Sequence, residues 1–283
     1  MLHRFGQSVV FLVTATALNC AIAGEFQSAK AAVLALSDDN SVAAFDPDPA
    51  TNPINTGLLF WTVDDVNHLF QNQFWYRVGS TGGESFLNTL NLLSINQSDP
   101  TGNKFGLTYG GNGFEIGINF RLDGGSLGSG IASLFEDITI KNTSNTALDF
   151  HLFNYTDFDL TEDGSQDTTV INNRRARQSN NFTFTTDVVK PIATSYQVGS
   201  FGELLATLTD NSPTNLNNFS GGITGDNSYA FQWDFTLNSE SSYTISNYKT
   251  IAPISSVPEP ITLIGSLSFG AFMWLRRRSS QRF

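Results

Sequence analysis

Cysteine is all but missing from this 283-residue chain, with Cys20 the single example. Histidine is nearly as scarce, at three residues. A disulfide framework is therefore excluded, and so is thiolate chemistry in any chain that begins after residue 20. A structural zinc site needs three or four Cys, His or acidic ligands, and no H-x-x-x-H pair or cysteine cluster supplies them. Charged residues make up only 14% of the sequence while aromatics reach 12%. That balance excludes the charge-rich, aromatic-poor composition of disordered chains. Basic residues are missing from the body in particular. Five of the 15, Arg4, Arg276, Arg277, Arg278 and Arg282, sit at the two ends, which leaves 10 against 26 acids in residues 24–260, a net charge of -16. Such a body repels phosphate backbones, so nucleic acid is excluded as a partner. Residues 24–255 also lack a Pro- or Gly-rich linker and any clear repeat, and read as one domain.

What is present reads as β structure. The 24 Phe residues and the abundant Thr suit pleated strands, and short alternating runs are separated by turn clusters. In "KFGLTYGGNGFEIGINFRL", Phe105, Leu107 and Tyr109 alternate, "GGNG" turns, and Phe114, Ile116, Ile118 and Phe120 alternate back. In "LFEDITIKNTSNTALDFHLFNY", Ile138 and Ile140 precede a turn at Asn142–Asn145 and Leu148, Phe150 and Leu152 follow it, so a second hairpin is expected. Asp38-Asp39-Asn40 is expected to turn the first hairpin. Later strands are expected at 181–189, 192–198, 229–237 and 242–251. "TVDDVNHLFQNQFWYRVG" reads as strand with room for one helical turn. The expected fold is an all-β antiparallel β-sandwich, jelly-roll-like or Ig-like, with Trp61, Trp75 and Trp233 in or near its core.

The two ends do not belong to that fold. Arg4, the apolar run Val9–Leu18 and the A-x-A site Ala21-Ile22-Ala23 make residues 1–23 a secretory signal peptide cleaved after Ala23. At the other end, Pro258 and Pro260 block helix before Ile261. The uncharged run Ile261–Leu275 spans about 22 Å as a helix, short of the roughly 30 Å hydrocarbon core. Flanking arginines can make up the difference, and Arg276, Arg277 and Arg278 hold the last residues on the cytoplasmic side.

The order Val257-Pro258-Glu259-Pro260, short apolar helix, arginine cluster over residues 256–283 resembles a PEP-CTERM sorting tail. The resemblance implies a Gram-negative bacterium that makes exopolysaccharide. It implies export through the Sec translocon across the inner membrane, then transient anchoring. An exosortase, a membrane-embedded cysteine transpeptidase-like enzyme, would remove the tail and pass the protein to the outer surface or extracellular matrix. The tail is a substrate and performs no catalysis. The stretch from about 33 to 80, with "WTVDDVNHLF" and "FWYRVG", resembles segments of other PEP-CTERM body domains and implies no activity.

Within the body, "DFDLTEDGSQD" crowds five acids into Asp157–Asp167. Asp159, Thr161, Asp163, Gly164 and Asp167 fall in a calcium-loop register, in which alternate oxygens converge and Gly allows the turn. Val170 stands where the bidentate acid of an EF-hand would be. The stretch reads as a solvated acidic loop, and a looser calcium site on Asp157, Asp159, Thr161, Asp163 and Asp167 is the alternative, with calcium the one cofactor it would bring in. The basic cluster "NNRRARQ" is expected to neutralise that loop through Arg174, Arg175 and Arg177, with an anionic polysaccharide as the alternative ligand. Gly124-Gly125-Ser126-Leu127-Gly128 satisfies G-x-S-x-G, but it lies between two strand patterns and reads as a hairpin loop. Asp64-Asp65 and Glu136-Asp137 are candidate acid pairs for glycoside chemistry. His68 and His151 carry no local partner motif, and His151 reads as a solvent-side strand residue. The functional expectation is a structural or adhesive, non-catalytic surface protein in an exopolysaccharide or biofilm setting. The alternative is a carbohydrate-binding module or glycan-active enzyme in the same compartment.

Overall fold

Alternation of apolar residues along each run dictates strands with one buried face. The computed structural model describes residues 32–47, 56–97, 102–160 and 164–254 and shows that outcome throughout. The first sheet contains β1 (Leu34–Asp38), β2 (Ser41–Asp46), β3 (Gly57–Val63), β5 (Leu69–Val78), β11 (Leu148–Phe158), β17 (Asn227–Leu237) and β15 (Ser195–Ser200) in that order. The short strands β4 (Val66–Asn67) and β6 (Ser85–Phe86) pair with β3 and β5. The second sheet runs β16 (Gly221–Thr224), β12 (Thr168–Ile171), β13 (Arg175–Ser179), β14 (Thr183–Lys190), β18 (Ser242–Pro253), β10 (Ala132–Asn142), β9 (Phe114–Gly124), β8 (Lys104–Gly111) and β7 (Asn91–Asn96). Each sheet has nine strands, so the sandwich is larger than the jelly-roll-like or Ig-like arrangement expected.

The β8–β9 hairpin forms as the alternation predicts, with Phe105, Leu107, Tyr109, Phe114, Ile116, Ile118 and Phe120 buried. Asp39 and Asn40 turn the first hairpin. The expected β10–β11 hairpin does not form. β10 pairs with β9 and β18, whereas β11 pairs with β5 and β17, so the turn crosses from one sheet to the other. Asn142 fixes that corner. Its fully buried amide donates to Thr146 O at 2.7 Å and to Leu237 O at 2.9 Å, and its Oδ1 accepts from Ser144 N at 2.8 Å.

Between the sheets, Phe45, Trp61, Phe120, Phe150, Phe158, Phe231 and Trp233 are all buried. A smaller cluster lies on the other face of the first sheet, where α1 (Phe201–Thr209) sets Leu204, Leu205 and Leu208 against Trp75, Phe153 and Tyr155. This helix was not expected from strand alternation, although Ser200 and Glu203 give the S-x-x-E spacing of a helix start. Where Asp64 and Asp65 adopt positive φ, the chain makes a turn in place of a helical one.

Among the described residues no helix is long and apolar enough to cross a membrane. The signal positions Ala21 and Ala23, the sorting positions Val257, Pro258, Glu259 and Pro260, the run Ile261–Leu275, Arg276–Arg278, and the loop residues Thr161 and Asp163 lie outside the described residues.

Candidate functional site

Strand registry builds the site on the solvent face of the second sheet. Successive partners place Arg175, Val188, Tyr248, Phe135, Arg121 and Lys104 in one row across β13, β14, β18, β10, β9 and β8. At the usual strand spacing, that row extends about 24 Å. Each of these side chains points outward because the residue that follows it points into the core. At the centre the Phe135 and Tyr248 rings lie 4.6 Å apart, and the Arg121 guanidinium sits 3.8 Å over the Phe135 ring. Asp123 holds that guanidinium at 2.7 Å. Ser133 Oγ lies 3.1 Å from the Tyr248 hydroxyl. On one side Arg177 covers Phe184 at 4.9 Å.

A groove of about 390 Å³ opens beside this row, lined by Lys104, Gly106, Asn119, Arg121, Phe135 and Asp137 among others. Its floor depends on Gly106, because a Cβ there would stand 2.6 Å from Asn119 Oδ1. Asp137 accepts a 2.6 Å hydrogen bond from Ser246. Together these groups present the exposed Tyr248 ring, cationic nitrogens and amide and hydroxyl groups on one surface.

The expected neutralisation of the acidic loop by the arginines is not seen at Asp157 and Asp159, while Glu162 and Asp163 lie outside the described residues. Among the described residues Arg174, Arg175 and Arg177 make no ion pair with an acid. The reason is topological: strand alternation sends Arg175 and Arg177 to the open face of the second sheet, while Asp157 and Asp159 lie at the end of β11 in the first.

The acidic loop assembles differently from its expected register. Asp157 and Asp159 join Asp226, from the turn before β17, with one oxygen of each within 4.8 Å of the others. Nothing in the local sequence pointed to Asp226. Asp157 is buried and its Oδ1 has no hydrogen-bond partner, while Oδ2 accepts from the Tyr155 hydroxyl at 3.3 Å. Burial pushes the Asp157 carboxyl well above the usual carboxylate range, and the charges of Asp159 and Asp226 add to that rise. Gly164 stands close against Asp159, since a Cβ there would meet its Oδ1 at 2.6 Å. Asp167, whose charge also acts on Asp157, fastens the backbone, its Oδ2 accepting from Leu160 N at 3.0 Å and from Gln178 Nε2 at 2.8 Å. The oxygen-only donor set of Asp157, Asp159 and Asp226 fits a hard cation such as calcium.

The remaining candidates are drawn into structural roles. Glu136 and Asp137 point to opposite faces of β10, one fully buried and one in the groove, so they never converge on one bond. Asp64 accepts from Gly128 N at 2.6 Å and Gly130 N at 2.7 Å, which ties the glycine-rich β9–β10 loop to the first sheet. These amides hold its carboxyl below the usual range. Ser126 therefore lies in a hairpin loop, as expected. His68 is buried, and desolvation lowers its pKa to about 4. His151 stands on the outer face of the first sheet, 2.6 Å from Asp234 and 3.5 Å from Asp149. Among the described residues no serine or threonine hydroxyl bonds either histidine.

No protein-family model and no curated protein matches the sequence. Solved structures do match. A bacterial glucoamylase complexed with acarbose is similar at 10% identity with a TM-score of 0.54, over 79% of this chain and 32% of that one. A putative aldose 1-epimerase from Escherichia coli K12 is similar at 10% identity with a TM-score of 0.53, over 79% and 99% of the two chains. A Synechocystis protein is similar at 9% identity with a TM-score of 0.50, over 83% and 100%. What is shared is the fold. The chain thus spans about a third of the glucoamylase and essentially the whole of the other two proteins.

Proposed function

We propose that this chain is an exported, exosortase-processed surface or matrix protein whose sandwich binds an anionic polysaccharide without cleaving it. The observation that carries the reading is the outward row Arg175–Val188–Tyr248–Phe135–Arg121–Lys104. Aromatic faces stack on the apolar faces of sugar rings, and guanidinium groups pair with carboxylate or sulfate. In a body of net charge -16, such a stripe concentrates the cations where a polyanion would need them. Two proteins that share the fold are a glucoamylase complexed with acarbose and a putative aldose 1-epimerase, which favours a carbohydrate as ligand class. Binding rather than hydrolysis is favoured because, among the described residues, one carboxylate, Asp137, lines the groove, and a glycosidase needs two.

The test is a binding titration of the exported protein against an anionic and a neutral polysaccharide at two salt concentrations. The reading predicts a preference for the anionic polymer that weakens with salt. Equal affinity for both, or none for either, overturns it. Delivery is tested separately: Glu259→Ala should leave the tail in place and the protein in the membrane fraction, and normal release would count against exosortase sorting. We further infer that Asp157, Asp159 and Asp226 hold a structural calcium ion, on the strength of the buried, unpartnered Asp157 Oδ1.

A further inference from the structure

Three ionisable side chains meet midway between the sheets with no exposed surface. Lys249 projects inward from β18, Glu136 from the neighbouring β10, and Asp187 from β14 directly opposite Lys249. Lys249 Nζ lies 2.5 Å from Glu136 Oε2, 3.4 Å from Asp187 Oδ2 and 3.4 Å from Asn154 Oδ1. The other groups that reach the cluster are neutral. Asn72 and Asn247 donate to Glu136 at 2.5 and 3.1 Å, and the Tyr229 hydroxyl donates to Asp187 Oδ2 at 2.9 Å.

As a simple ion-pair cluster this arrangement is unbalanced. Two carboxyl groups face one amine in a medium where surplus charge is costly. Desolvation pushes both carboxyls up against the opposing pull of Lys249. Asp187 Oδ1 is also buried with no hydrogen-bond partner, while Oδ2 takes the contacts with Tyr229 and Lys249. The departure of Oδ1 removes the unpartnered atom and turns one buried ion pair into a neutral group.

We propose that Lys249 and Asp187 become joined, after folding, by an intramolecular amide bond. A proton first moves from the ammonium to the acid cluster, leaving an amine beside a protonated Asp187, whose burial favours the neutral acid. Nζ then attacks Asp187 Cγ and the N–C bond forms. The Tyr229 hydroxyl, already bonded to Oδ2, stabilises the charge that develops on the oxygen that stays. The Cγ–Oδ1 bond breaks. Glu136, in contact with Nζ, takes the proton that the nitrogen sheds and returns it to the departing oxygen. The balance is ammonium plus carboxylate giving amide plus one water, with no oxidant and no other reactant. Glu136 ends in the protonation state in which it began, among amide partners. It links β14 to β18 covalently in a chain whose one cysteine, Cys20, lies in the expected signal peptide.

The test is the mass of the exported protein after full denaturation, followed by digestion with a protease that cleaves after glutamate. Glu203 and Glu240 lie between the two residues, so unlinked peptides separate. The expected result is a branched peptide that contains Asp187 and Lys249 and is lighter than the sum of its parts by one water. Separate peptides of full mass overturn the proposal. A branched peptide lighter by one ammonia and joined at Asn154 overturns the assignment to Asp187. Asp187→Ala should abolish the branched peptide, and Glu136→Gln should accumulate unlinked protein. If either variant fails to fold, the wild-type digest still decides.

Discussion

The two faces of the second sheet treat charge in opposite ways, and residues 136 and 137 show it most directly. Glu136 faces inward, fully buried, and is satisfied by Lys249, Asn72 and Asn247. Asp137, one residue on, faces the groove and shares a hydrogen bond with Ser246. On the inner face a polar atom depends on protein partners, because water is excluded. On the outer face the same residue types remain available to a ligand. The lesson is that a charged residue on a strand is assigned a role by its parity in the alternation before its chemistry matters.

The comparison is broken most severely from the inside. Lys249→Met leaves the buried Glu136 and Asp187 carboxyls without the nitrogen that both face, whether as ion partner or as amide, and should lower unfolding free energy by about 3–5 kcal/mol. Equilibrium denaturation of the variant checks this, and a loss close to that of an outer-face substitution would contradict it.

A second buried group gives a pH signature. His68 has its pKa lowered from 6.5 to about 4 by burial, so the folded state keeps it neutral while the unfolded state takes up a proton. Its contribution is complete above pH 6.5 and is lost as pH falls toward 4, amounting to about 3 kcal/mol at most. Thermal melts across that interval should show the fall, and His68→Gln should flatten it.

The outer face should respond in binding with little change in stability. Arg177→Ala should weaken binding to an anionic polysaccharide by roughly threefold and reduce its salt dependence. Its melting temperature should stay close to wild type, as for most surface substitutions.

The smallest effect sharpens the contrast at the acidic cluster. Millimolar calcium should raise the melting temperature by about 2–4 °C for each kcal/mol of stabilisation. Asp226→Asn should reduce that rise. Because the Asp157 carboxyl is pushed up, ionising it costs the apo protein stability as pH rises through that raised pKa. Calcium should therefore help more above that raised pKa than below it.

Much of this was legible in the sequence. Alternation located β8, β9, β14, β17 and β18, and the Asp38–Asn40 turn. The β10–β11 connection was misread because alternation is the same whether a chain turns back beside itself or crosses to the facing sheet. Only the pairing of β10 with β18, more than a hundred residues away, distinguishes the two. The inner cluster left a readable trace: Glu136 stands among Leu134, Ile138 and Ile140, and Lys249 between Ile245 and Ile251, all on inward positions. The outer row left none, since six strands contribute one residue each and only their register aligns them. Asp226 was invisible for the same reason, being placed beside Asp157 by the β11–β17 pairing.

The most direct test of the outer face as the working surface is Tyr248→Ala, measured by polysaccharide titration and by thermal melt. The account predicts about a tenfold loss of affinity, equivalent to about 1.4 kcal/mol, with an unchanged melting temperature. Unaltered affinity for the polymer, with Tyr248 gone and the fold intact, would contradict it.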